Sequence, residues 1–184
     1  MINLHAELWR AMQLARDPRV EPGFDGLCFT HCLQWGFARV AFYGLERELY
    51  EPTADGPSMA FIVPVVEGGD TIDLAAICGY TEHVGTRHGV GHGLGLDAIA
   101  KARMRGCDLL LVERPLTWLR CPVEPPQDWI TNPIAIEAAY LFNLRHARVA
   151  LEDVAEITCN TAGLCDRVRS LLPPSQRQRV AVRG

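Results

Sequence analysis

The chain has 184 residues, 48% of them hydrophobic and 22% charged, with a net charge of −4. That supplies apolar material for one sizeable core, and the acidic balance disfavours bulk attraction to nucleic acid. The longest apolar run, "MAFIVPVV", is too short for a membrane-spanning helix. The start, "MINLHAELWR", carries charge where a signal peptide needs an apolar stretch, so a cytoplasmic location is the expectation. The seven cysteines (Cys28, Cys32, Cys78, Cys107, Cys121, Cys159, Cys165) are odd in number and scattered, which argues for reduced, buried thiols over a disulfide framework.

Asn3 can cap a first helix, in which Leu4, Leu8, Met12 and Ala15 recur at helical spacing. Asp17-Pro18 ends it, and "EPGFDG" reads as a turn. In "LCFTHCLQWGFARVAFYGLERELY", Phe29, Leu33, Phe37 and Val40 fall near one helical face. The stretch is therefore read as helical, although Gly36 and Gly44 weaken that reading and leave residues 34–50 open between helix and strand.

"SMAFIVPVV" and "TIDLAAIC" flank "EGGD", the clearest hairpin signal in the chain. Pairing outward from the turn sets Pro64 opposite Asp73 and Glu67 opposite Asp70. A proline cannot donate to the ladder, so the first strand is expected at an edge, at least locally. "GLDAIAKARMRG" reads as a short helix ending at Gly106, and "CDLLLVER" as a buried strand stopped by Pro115. Strand, helix, strand suggests a crossover adding a third strand to the hairpin sheet.

"PLTWLR" is a helical turn, and Asn132 with Pro133 is expected to start the strongest helix, through "IAIEAAYLFNLRH". "LEDVAEI" and "LCDRVRSLL" read as further helical pieces, broken near "CNTAG" and closed by Pro173-Pro174. The expected fold is α+β: a small sheet of about three to five strands with a hairpin, packed with four to six helices. One globular domain over 1–174 and a loose basic tail over 175–184 complete it.

"GTRHGVGHGLGLDAI" poses the main functional question. Glycines occupy every second position from Gly89 to Gly95, and His88 and His92 stand four apart. A phosphate cradle would use Arg87 and the main chain of Gly89, Gly91 and Gly93 at a helix start, but the spacing matches neither common phosphate-loop pattern. A metal site would use His83, His88 and His92, with Cys28, His31 and Cys32 as a second cluster. The third reading is structural: alternating glycines bring the chain close to the sheet and into a helix near Leu94, which packs Leu94, Ile99 and Ala102. On that reading His88 and His92 stay partly exposed.

"LCFTHCLQWGF" followed by "GGDTIDLAAICGYTEHVGTRHG" resembles the cysteine–histidine order of papain-like hydrolases of the NlpC/P60 type. The resemblance implies Cys28 or Cys32 as nucleophile and His83 as base. The chain lacks that family's Asp-Cys-Ser-Gly context. The order "VPVVEGGDTIDLAAI", then "LLLVERPLTWLR", is similar to small proteins carried by proteobacterial phages and plasmids, which implies a mobile-element setting and no chemistry.

Residues 46–82 hold Glu46, Glu48, Glu51, Asp55, Glu67, Asp70, Asp73 and Glu82 against Arg47, whereas five arginines follow from Arg167 onward. Glu67 and Asp70 on the hairpin, and Arg177 and Arg179 in the tail, are candidate contacts for a protein partner or a second copy of the chain. No nucleophile, base and oxyanion donor can be assembled beyond spacing. The sequence therefore favours a non-enzymatic binding or accessory protein acting through protein contacts, with the hydrolase and the metal or phosphate site as alternatives. It names no cofactor.

Overall fold

The computed structural model describes residues 3–15, 35–44, 48–121 and 137–183. The chain divides into two compact units, 1–91 and 92–184, and the division falls inside the glycine stretch. The α+β class holds. In place of one small sheet, the described residues form two sheets of five strands each.

In the first unit, helix α1 (Leu4–Ala15) starts as expected, with the Ala6 N–H donating to the Asn3 side chain at 3.1 Å. Strands β1 (Gly36–Tyr43), β2 (Leu49–Pro52), β3 (Ser58–Glu67), β4 (Asp70–Cys78) and β5 (Val84–Thr86) close into a barrel in the order β1-β2-β5-β4-β3. Residues 36–43 are thus a strand, not the helix read through Phe37 and Val40. Gly36 explains part of this, because a Cβ there would run into Ala11 of α1. The helix lies against β1 at a point where a side chain cannot fit. Ala11, Val40, Tyr50, Ile62 and Leu74 join in the shared core.

The β3–β4 hairpin turns at Gly68-Gly69, both at positive φ. Glu67 faces Asp70 as expected, but a bulge between Val65 and Val66 moves the register. Asp73 therefore sits opposite Val65, and Pro64 opposite Leu74. β3 pairs with β1 only from Ser58 to Ile62, so Pro64 lies beyond that ladder and the local edge reading stands.

The second unit holds β6 (Gly93–Leu94), α2 (Leu96–Arg105), β7 (Asp108–Leu111), α3 (Pro115–Arg120), β8 (Glu137–Leu141), α4 (Arg148–Glu152), β9 (Glu156–Cys159), α5 (Ala162–Leu171), a 3-10 helix (Pro174–Arg179) and β10 (Val180–Val182). The sheet runs β10-β9-β7-β8-β6. β7, β8, β9 and β10 are parallel and β6 is antiparallel. The strand β7 therefore belongs here and does not extend the hairpin sheet.

Three further expectations change in this unit. Residues 137–141 form β8, where a helix from Asn132 was expected. Residues 132–136 lie outside the described residues. A short apolar run inside a parallel sheet has no alternation to distinguish it from a buried helix. In "LEDVAEI" only the first part is helical, and Glu156 and Ile157 open β9. The tail is not loose: Val180, 1% exposed, pairs with Ile157, and the Arg169 guanidinium donates twice to its carbonyl, at 3.1 and 2.7 Å. Leu109, Leu111, Ile157, Val168 and Val180 share one core with Ile99 and Ala102 of α2.

Candidate functional site at the carboxyl edge of the parallel sheet

The order of the four parallel strands fixes where a crevice opens. From β7 the chain passes to β8 on one side, whereas from β9 it passes to β10 on the other. Connections leaving neighbouring strands in opposite directions part at the strands' carboxyl ends, and open α/β sheets bind ligands at such switch points.

Here the parted ends are tied by one main-chain hydrogen bond and by side chains. The Asn160 N–H donates to the Leu111 carbonyl at 3.0 Å, and the Glu113 N–H donates to the Asn160 side chain at 2.9 Å. Thr161 caps α5, its hydroxyl oxygen accepting from the Leu164 N–H at 3.2 Å, and donates to the Glu113 carboxylate at 2.7 Å. Arg167 reaches the other carboxylate oxygen at 2.6 Å. Both oxygens of Glu113 are engaged, so this acid anchors the crevice wall. Beside this network a cavity of about 370 Å³ opens between the ends of β7 and β8 and α5, lined among others by Glu113, Tyr140, Asn143, Arg145, Leu164 and Arg167. Asn143 accepts the Arg145 N–H at 3.0 Å, which fixes the turn that presents Arg145.

The glycine stretch does different work. The Asp73 carboxylate, fully buried, accepts the main-chain N–H groups of Leu74 (2.8 Å), His88 (3.0 Å), Val90 (3.0 Å) and Gly91 (3.2 Å). The loop is an anion cradle, and its anion is the protein's own carboxylate. Gly89 donates to Thr86 at 3.1 Å. Gly91 and Gly93 are tightly packed: a Cβ would meet Val65 at 2.9 Å or the Tyr140 carbonyl at 2.7 Å. Arg87 pairs with Glu7 at 3.0 Å and stands over the Tyr50 ring. The Tyr50 hydroxyl donates to the same Glu7 at 2.8 Å. Burial, then the Glu7 charge, pushes the Tyr50 hydroxyl well above its ordinary value. Leu94, Ile99 and Ala102 are buried.

The histidines part company. His83 meets Glu48 at 3.2 Å and stands edge-on to Phe42, His88 is exposed, and His92 contacts the His146 ring. Among the described residues no three His, Cys, Asp or Glu converge as metal ligands. Cys28, His31 and Cys32 lie outside the described residues. Glu67 and Asp70 are exposed at the hairpin tip. Arg177 donates to the Leu172 carbonyl at 3.2 Å, and Arg179 donates to the carbonyls of Val154 and Glu152 at 2.6 and 2.7 Å. These two arginines hold the tail down.

Sequence reasoning missed Glu113, Asn160, Thr161 and Arg167. Their signal was present: two apolar runs, "LLLV" and "ITC", each end on polar residues, and the second leads through Thr161 into a helix. Among the described residues no helix is long and apolar enough to cross a membrane. No protein-family model, curated protein or solved structure matches this chain.

Proposed function

We propose that this chain is a non-enzymatic binding protein and that the crevice at the carboxyl ends of β7 and β8, flanked by α5, is its ligand seat, taking a small molecule with an anionic group. The carrying observation is the switch point, where Glu113, Asn160, Thr161 and Arg167 lock the parted strand ends, and the cavity beside it, whose wall Glu113 and Arg167 share. Arg145 and Arg167 give the lining two cations against the single Glu113 among the described residues. Arg167 already balances Glu113, which leaves Arg145 to meet a ligand anion.

The test is thermal denaturation with inorganic pyrophosphate and, separately, adenosine monophosphate. Ligand that binds only the folded state raises the melting temperature with concentration. A rise in the wild type that Arg145→Ala removes supports the seat. A rise of equal size in both proteins, or none in either, contradicts it.

A second reading concerns protein contacts. Glu67 and Asp70 stand exposed and opposite one another at the hairpin tip, and β3 beyond Ile62 has no β1 partner. Like charges facing across a turn favour a cationic partner. Reversing both to lysine is expected to weaken partner capture or self-association, with salt dependence lost and the melt unchanged. Association unaltered across a salt series counts against it.

A further inference from the structure

We infer that a groove in the first unit, between α1 and the barrel, is a separate binding site for an amphipathic anion: an acyl or aryl body carrying one carboxylate or sulfonate. The groove encloses about 1000 Å³, the upper end of the range for small-molecule sites. Its walls include Ala11 and Leu14 of α1 and Phe37, Met59 and Ile62 of the barrel. Residues 7, 10, 11 and 14 fall on one helical face, so α1 presents Arg10 beside this apolar surface.

The charges in the lining decide the ligand class. Among the described lining residues Arg10, Arg39 and Arg87 oppose Glu7 alone, whereas the whole chain carries −4. Glu7 and Arg87 neutralise each other at 3.0 Å, with side chains only 15% and 11% exposed, and the Tyr50 hydroxyl also holds Glu7. That leaves Arg10 and Arg39, both exposed, at an apolar groove. Arg39 is steadied by one hydrogen bond to the Gly56 carbonyl at 3.2 Å. An apolar body with a negative head satisfies both features. A second copy of this acidic chain would bring negative charge spread over a folded surface, whereas the groove calls for one anionic head joined to an apolar body, so the small molecule is the occupant favoured.

The probe is 8-anilinonaphthalene-1-sulfonate, an amphipathic anion whose fluorescence rises on leaving water, with decanoate as competitor. The wild type is expected to bind it saturably, to release it to decanoate and to lose affinity as sodium chloride rises. Arg10→Glu with Arg39→Glu is expected to weaken binding at least tenfold while the cooperative melt persists. Should that variant fail to fold, the salt series and decanoate competition on the wild type decide. Arg145→Ala is expected to bind the probe like the wild type, which separates this site from the crevice. Unchanged affinity in the folded double variant, no salt dependence, no saturable binding, or displacement of the probe by concentration-dependent dimerisation overturns the inference.

Discussion

The fully buried Asp73 carboxylate on β4 accepts the main-chain N–H of Val90, seventeen residues on, at 3.0 Å. The same carboxylate takes three other main-chain N–H groups. This relationship answers what the glycine stretch is for: its backbone is folded around an internal anion. Charge-assisted hydrogen bonds to a buried carboxylate are among the strongest a fold makes. Asp73→Asn keeps the shape but turns two acceptor sites into donors facing donors. It is expected to cost roughly 2–4 kcal/mol of unfolding free energy, read by urea denaturation. A loss below about 0.5 kcal/mol, within the ordinary range for surface changes, contradicts the cradle.

The tail gives a second prediction. Val180 is buried in the second core, and Arg179 clamps two carbonyls. Deleting residues 174–184 is expected to abolish the cooperative melt of the second unit or lower it by many degrees. Val180→Ala leaves a cavity and is expected to cost about 1–3 kcal/mol. An unchanged melt after truncation contradicts the docked strand.

Alkaline stability follows from Cys159. Burial, then the neighbouring Cys165, pushes its thiol from the ordinary 9.0 up to about 12. Between those values the unfolded chain releases this proton and the folded chain keeps it. Its contribution is complete below about pH 9 and falls away as pH rises toward 12. Tyr50, also raised, adds to the fall at higher pH. Urea unfolding at pH 8 to 11 is expected to show falling stability, less steep in Cys159→Ala. Equal slopes in both proteins count against this assignment.

Glu113 makes the opposite kind of prediction. Its pair with Arg167 is partly exposed, at 35% and 56%, and such pairs contribute about 0–1 kcal/mol. Glu113→Gln is therefore expected to leave stability within about 1 kcal/mol while changing pyrophosphate affinity, because it frees Arg167. A large stability loss with unchanged affinity would make Glu113 a structural residue only.

The legible parts of the sequence were those with local signals. Asn3 announced α1, Gly68-Gly69 the hairpin, and Gly106 the end of α2. What misled was spacing without context. Phe37 and Val40 are three apart, as on a helix, yet they bury against different parts of a barrel that only distant strands complete. Ala138 and Ala139 suit a helix by propensity but lie in a strand, where the Trp118 indole N–H donates to the Ala138 carbonyl at 3.0 Å. The crevice was not legible because it depends on β7 lying beside β9. Glu113 and Arg167 are fifty-four residues apart in sequence, and only the strand order brings them together.

The central claim is that the crevice beyond β7 and β8, flanked by α5, seats an anionic ligand. The most direct measurement is a titration of the ¹⁵N-labelled chain with pyrophosphate, following main-chain amide resonances. The account predicts saturable shifts concentrated at Glu113, Asn143, Arg145 and Leu164, lost in Arg145→Ala. Shifts centred on residues 88–91, where the Asp73 carboxylate already occupies the donors, or no saturable shifts at all, would contradict it.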